Sequence, residues 1–115
     1  MGAKNKVIAG DYSGYKINKK DYVYIDLAYN NLIVLLNKKN IESYDIITED
    51  KVKSGSSAIL RGMVGVALLG GVGVLAGLSA KNKGIYTIAI QWKDGKRSLI
   101  EIDDKLYKKF IAEMF

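Results

Sequence analysis

The sequence predicts an α+β fold: antiparallel strands closed by a C-terminal helix and interrupted by a glycine-rich apolar segment. Three observations carry this expectation. Tyr86, Ile88, Ile90 and Trp92 alternate with Thr87, Ala89 and Gln91, the period of a strand. Leu106, Tyr107, Phe110, Ile111 and Met114 fall at helical spacing and form one apolar stripe. Between them and an apolar N-terminal half lie nineteen consecutive uncharged residues, Gly62–Ala80.

In chain order, Val7–Ile17 is spotted with glycine and suits one or two short edge strands. Tyr22-Val23-Tyr24-Ile25 alternates aromatic and aliphatic residues as a strand does. Tyr29-Asn30-Asn31 is turn material, because asparagine tolerates the left-handed backbone of a tight hairpin. Leu32–Leu36 is apolar on both faces, which predicts a central or doubly covered strand. Asn37–Asn40 is a second polar turn, and Ile41–Thr48 a third, weaker strand, so these strands read as a meander. Lys93-Asp94-Gly95-Lys96 carries the Asp-Gly pair of a two-residue hairpin turn. Ser98, Ile100 and Ile102 continue the return strand opposite Leu99 and Glu101, and Asp103 or Asp104 caps the closing helix.

The chain has 115 residues and reads as one domain, residues 1–115. With neither cysteine nor histidine, it has no disulfide framework, no thiolate metal site and no nucleophile–histidine triad. We therefore expect a non-enzymatic protein with no cofactor and no metal. The adjacent carboxylates Asp103-Asp104 and Glu49-Asp50, like Asp94, sit where caps and turns need them. The net charge of +6 admits an acidic partner, but lysines and acids interleave and no run of five or six like charges occurs. Nucleic acid is accordingly not an expected partner. The N-terminus lacks the apolar core of a secretory signal, so a cytoplasmic location is expected.

The uncharged stretch meets the length of a membrane span. Its six glycines, Gly62, Gly65, Gly70, Gly71, Gly73 and Gly77, each weaken a helix by about 0.8–1.0 kcal/mol relative to alanine. A span would also divide the strands between two sides of a bilayer, leaving open edges on each. Flanking charge gives no orientation: residues 1–61 hold ten basic and seven acidic groups, residues 81–115 eight and five, so both come to +3. Three readings stay open: a span, a pair of buried strands, and two short helices folded back at Gly70-Gly71. The glycines favour the third, with Ser56 or Ser57 capping the first piece and Gly73 and Gly77 forming a small-residue face.

The stretch IVLLNKKNIESYDIITED, with its basic turn and I-x-S strand, resembles bacterial pleckstrin-homology-like (PH-like) domains. IYTIAIQWKDGKRSLIEIDDKLYKKFIAEMF is similar to their closing hairpin and capping helix. Residues 56–82 resemble the glycine-zipper insert of small proteins of Gram-positive bacteria and their phages. The resemblance implies a bent antiparallel sheet or split barrel carrying a glycine-rich helical hairpin, and it implies binding and not catalysis.

Two functional expectations follow. The first is a homo-oligomer, or a protein docked peripherally on the inner face of the membrane, acting through Gly62, Gly65, Leu68, Leu69, Gly73, Leu75, Gly77 and Leu78. The second is a ligand-sequestering or inhibitory protein that holds an acidic small molecule or nucleotide. Its residues would be Lys19, Lys20, Tyr22 and Tyr24, in a region where tyrosine is interleaved with lysine, together with Arg61, the one charge within the apolar stretch from Ala58.

Overall fold

A computed structural model describes residues 4–63 and 84–115. Seven strands form one antiparallel sheet: β1 (Lys6–Gly10), β2 (Lys16–Lys19), β3 (Val23–Asp26), β4 (Ile33–Leu35), β5 (Ile41–Ile46), β6 (Ile85–Trp92) and β7 (Arg97–Asp103). Their order is β4-β3-β2-β1-β7-β6-β5. Three helices complete the described chain, α1 (Glu49–Ser54), α2 (Ala58–Arg61) and α3 (Asp104–Met114).

The order contains a geometric demand. β4 and β5 are the two edges of the sheet, yet only residues 36–40 join them. A flat sheet of seven strands would separate its edges by about 29 Å. The link is short and also folded, since Asn40 and Ile41 both donate their backbone N–H to the Asn37 carbonyl, at 3.1 and 2.9 Å. The sheet therefore curls into a half-barrel until the end of β4 stands beside the start of β5. Asn40 fastens the junction: its Nδ2 donates to the Leu35 carbonyl at 2.9 Å, and its carbonyl accepts from Lys93 N–H at 2.9 Å.

Inward-facing residues alternate along every strand and fill the concave side. Val7, Ile17, Val23, Ile25, Ile88, Ile90, Ile100 and Ile102 are all at most 1% exposed. Helix α3 closes the opening, touching β2, β3, β6 and β7. Its stripe does this as the spacing predicts: Leu106 and Phe110 are buried, while Tyr107, Ile111 and Met114 pack at the margin. Phe110 meets Tyr44 edge-on at 5.1 Å. Asp103 is the N-cap, its side chain accepting from Leu106 N–H at 2.9 Å.

Four expectations need correction. Leu32–Leu36 is not a central strand. β4 pairs only with β3, and Leu32 and Ile33 are 50% and 40% exposed while Leu36 turns inward. β1 is not an edge strand, because it lies between β2 and β7. The meander is broken, since β5 pairs with β6 and not with β4. The β6–β7 turn has three residues: Trp92 N–H bonds the Lys96 carbonyl around Lys93-Asp94-Gly95, with Gly95 at φ +93°.

Gly10 shows how tightly β1 is seated. It has φ +81°, and a Cβ there would lie 2.4 Å from the Arg97 carbonyl oxygen and 2.6 Å from Met63 Cε. Gly10→Ala adds a clash with backbone to left-handed strain, and it should cost at least about 2 kcal/mol in chemical denaturation. Phe110→Ala opens a cavity beneath α3 and should cost roughly 3–5 kcal/mol in the same assay.

Candidate functional site

The chain approaches its apolar segment over the convex side of the sheet. After β5, Thr48 caps α1 by accepting from Lys51 N–H, and Gly55 at φ +67° ends that helix. Ser57 caps the single turn of α2 by accepting from Leu60 N–H at 3.2 Å. Ile59 and Met63 then bury themselves against Ala9, Ile47, Ala89 and Leu99, all on the outer face of the sheet. β6 and β7 are consequently buried on both sides over much of their length. The chain returns at Gly84 to begin β6. Gly62 lies directly beneath the Arg97 guanidinium, where a Cβ would come within 1.2 Å of Nη1. Gly65, Leu68, Leu69, Gly73, Leu75, Gly77 and Leu78 lie outside the described residues, as does the predicted fold-back at Gly70-Gly71. Among the described residues no helix is long and apolar enough to cross a membrane.

The residues nominated for an acidic ligand do not form one site. Arg61 donates to the Gly55 carbonyl at 2.7 Å, tying α2 back to the end of α1. Lys20 belongs to the β2–β3 turn. Tyr22, just before β3, and Tyr24 within it have tilted rings 5.5 Å apart. Lys19 instead borders a cleft with Lys4, Lys16 and Lys105. Sequence reasoning missed Lys4 and Lys105 as partners because no local signal joins them; the β1–β2 hairpin and the start of α3 bring them together.

A second groove runs beside the free edge of β4, lined by Tyr12, Val34, Lys39, Trp92 and Lys93. Tyr12 adopts φ +67°, unusual for an aromatic residue, and meets Trp92 edge-on at 5.6 Å. Below it the Trp92 indole donates to Ser98 Oγ at 2.8 Å, and that hydroxyl donates to the Asp11 carbonyl at 2.6 Å.

Several acidic side chains elsewhere on the sheet and at the start of α3 have structural partners. Glu101 accepts from Lys4 N–H at 2.8 Å. Asp45 pairs with Lys51. Asp104 pairs with Lys108 at 3.1 Å and accepts from the Tyr86 hydroxyl at 3.2 Å. Burial first, and then that bond to a carboxylate, raises the Tyr86 pKa. Among the described residues no three His, Cys, Asp or Glu side chains are grouped to hold a metal. No family model, no curated protein and no solved structure matches the chain.

Asp94 gives a measurable electrostatic signature. Its carboxylate accepts from Lys96 N–H at 3.0 Å and from the Lys96 ammonium at 2.9 Å, which together hold its pKa below the ordinary aspartate value, the backbone bond having the larger effect. A lowered folded-state pKa means that the turn's stabilisation is complete above the unfolded aspartate value and is lost as pH falls through the lowered one. An NMR titration of the Asp94 carboxyl should have its midpoint below that of a free aspartate. In Lys96→Ala the midpoint should rise only partly, because the backbone donor remains.

Proposed function

We propose that this chain is a non-enzymatic, PH-like interaction module that self-associates, or docks on a membrane surface, through its glycine-rich segment. Support for the PH-like reading comes from the curled seven-stranded antiparallel sheet and the C-terminal helix across its mouth.

One observation carries the interaction reading: the concave side is already full. Phe110 and Leu106 close it over a continuous set of buried isoleucines and valines. On this reading the four leucines and four valines in the sequence of residues 64–78 are side chains for a partner to bury. Burying eight such side chains provides about 1.5–3 kcal/mol each, ample for a stable assembly. A second copy of the chain or an anionic lipid surface supplies that burial. Met63, the last described residue before the segment, is buried in the cluster on the outer face of the sheet.

Sedimentation velocity without detergent, and then with phosphatidylglycerol vesicles, tests the reading. A discrete oligomer that Gly73→Leu or Gly77→Leu disrupts is the expected result. A monomer that sediments only with vesicles assigns the segment to the lipid surface. A strict monomer that ignores vesicles overturns the proposal.

A further inference from the structure

A cleft of about 400 Å³ opens between β2, the residues preceding β1 and the first turn of α3. Four lysines border it, Lys4, Lys16, Lys19 and Lys105, all exposed. None of their ammonium groups has an ion-pair partner among the described residues, whereas Lys51, Lys96, Lys108 and Lys109 each sit within 4.0 Å of a carboxylate oxygen.

The cleft contains one carboxylate, Asp103, and its oxygens are occupied. Oδ1 accepts from Leu106 N–H at 2.9 Å and Oδ2 from Asn5 Nδ2 at 3.1 Å. The neighbouring Asp104 is engaged by Lys108 and Tyr86. Four lysines less Asp103 leave a formal charge of +3 around the opening. Its floor is apolar, formed by the buried Ile17 and Leu106. An apolar floor concentrates the field of the lysines above it, and the positive end of an eleven-residue helix adds to that field. Asn18 adds a neutral polar side chain to the rim.

We propose that this cleft binds a polyanion carrying two adjacent phosphoryl groups. Uncompensated lysines around one cleft repel one another, and a multivalent anion relieves that repulsion. Lysines are flexible point charges that surround a tetrahedral phosphoryl group, whereas planar carboxylates are matched best by the arginine fork, which the cleft lacks. The volume suits a diphosphate with a small organic portion, at the lower end of small-molecule sites. The site draws on none of the residues 64–83, so it stands apart from the assembly reading above.

Calorimetric titration of the full chain with inorganic pyrophosphate at physiological ionic strength tests this directly. Lys16→Gln with Lys19→Gln should weaken binding by about tenfold or more, as expected for two charge-assisted contacts. Lys39→Gln with Lys93→Gln removes the same charge from the groove beside Trp92 and should change the affinity less than about twofold. Lys105→Gln provides an independent variant on α3, and Trp92 fluorescence reports that each variant is folded. Phosphatidylcholine vesicles with and without a phosphatidylinositol bisphosphate distinguish the sources. Binding of free pyrophosphate points to a soluble ligand. Binding of the doped vesicles alone, lost in the Lys16/Lys19 variant, points to a lipid headgroup. Equal losses in the two double variants, or no binding of either probe at millimolar phosphate, would overturn the proposal.

Discussion

Because β4 and β5 are opposite edges of one sheet and are joined through residues 36–40 alone, the sheet has no flat solution. It must curl, and curling creates a concave side that has to be filled by side chains from all seven strands. The Asn37–Asn40 turn is thus the local feature on which the global shape depends. Asn40 bonds to the end of β4 through its side chain and to the residue after β6 through its carbonyl, tying the β4 edge to the β6–β7 turn.

The curl also determines which polar groups need partners. At the narrow end, the Trp92 indole would lose its hydration on entering the core. The Ser98 hydroxyl accepts from that donor and in turn donates a hydrogen bond to the Asp11 carbonyl, so both donors are satisfied. At the wide end, α3 starts directly from β7, and Asp103 serves both as the last strand residue and as the helix cap. A helix begun so abruptly has its direction set by the strand, and this brings Leu106 and Phe110 over the opening. The Tyr86 and Tyr107 rings, stacked at 3.8 Å, then bind the helix flank to β6.

The local elements were legible in the sequence. The β6–β7 hairpin, the stripe of α3 and the asparagine turns are short-range features whose residues suffice to specify them. The placement of strands within the sheet was not. Leu32–Leu36 looks central because Val34 and Leu36 pack inward while Leu32 and Ile33 are equally apolar, and hydrophobicity cannot distinguish a covered face from an exposed edge. β1 looks peripheral because of Gly10, yet the glycine is there because β7 and Met63 approach too closely for a side chain. Its pairing with β7 joins residues about ninety positions apart, a separation that no local period reports. The same holds for the lysine cleft: Lys19 was singled out beside tyrosines near it in sequence, but its neighbours in space come from the N-terminus and α3.

Among the described residues the concave side is filled by isoleucine and valine and closed by Leu106 and Phe110. The outside offers two chemically opposite opportunities. One is apolar and lies where Ile59 and Met63 seat the chain on the convex face. The other is cationic and lies where β2 meets the start of α3. They are built from different elements, so a substitution in one can leave the other's geometry intact. Their shared support is the sheet itself, with β1 reaching toward both: its preceding residues, Lys4 and Asn5, border the cleft, while its last two, Ala9 and Gly10, lie against Met63.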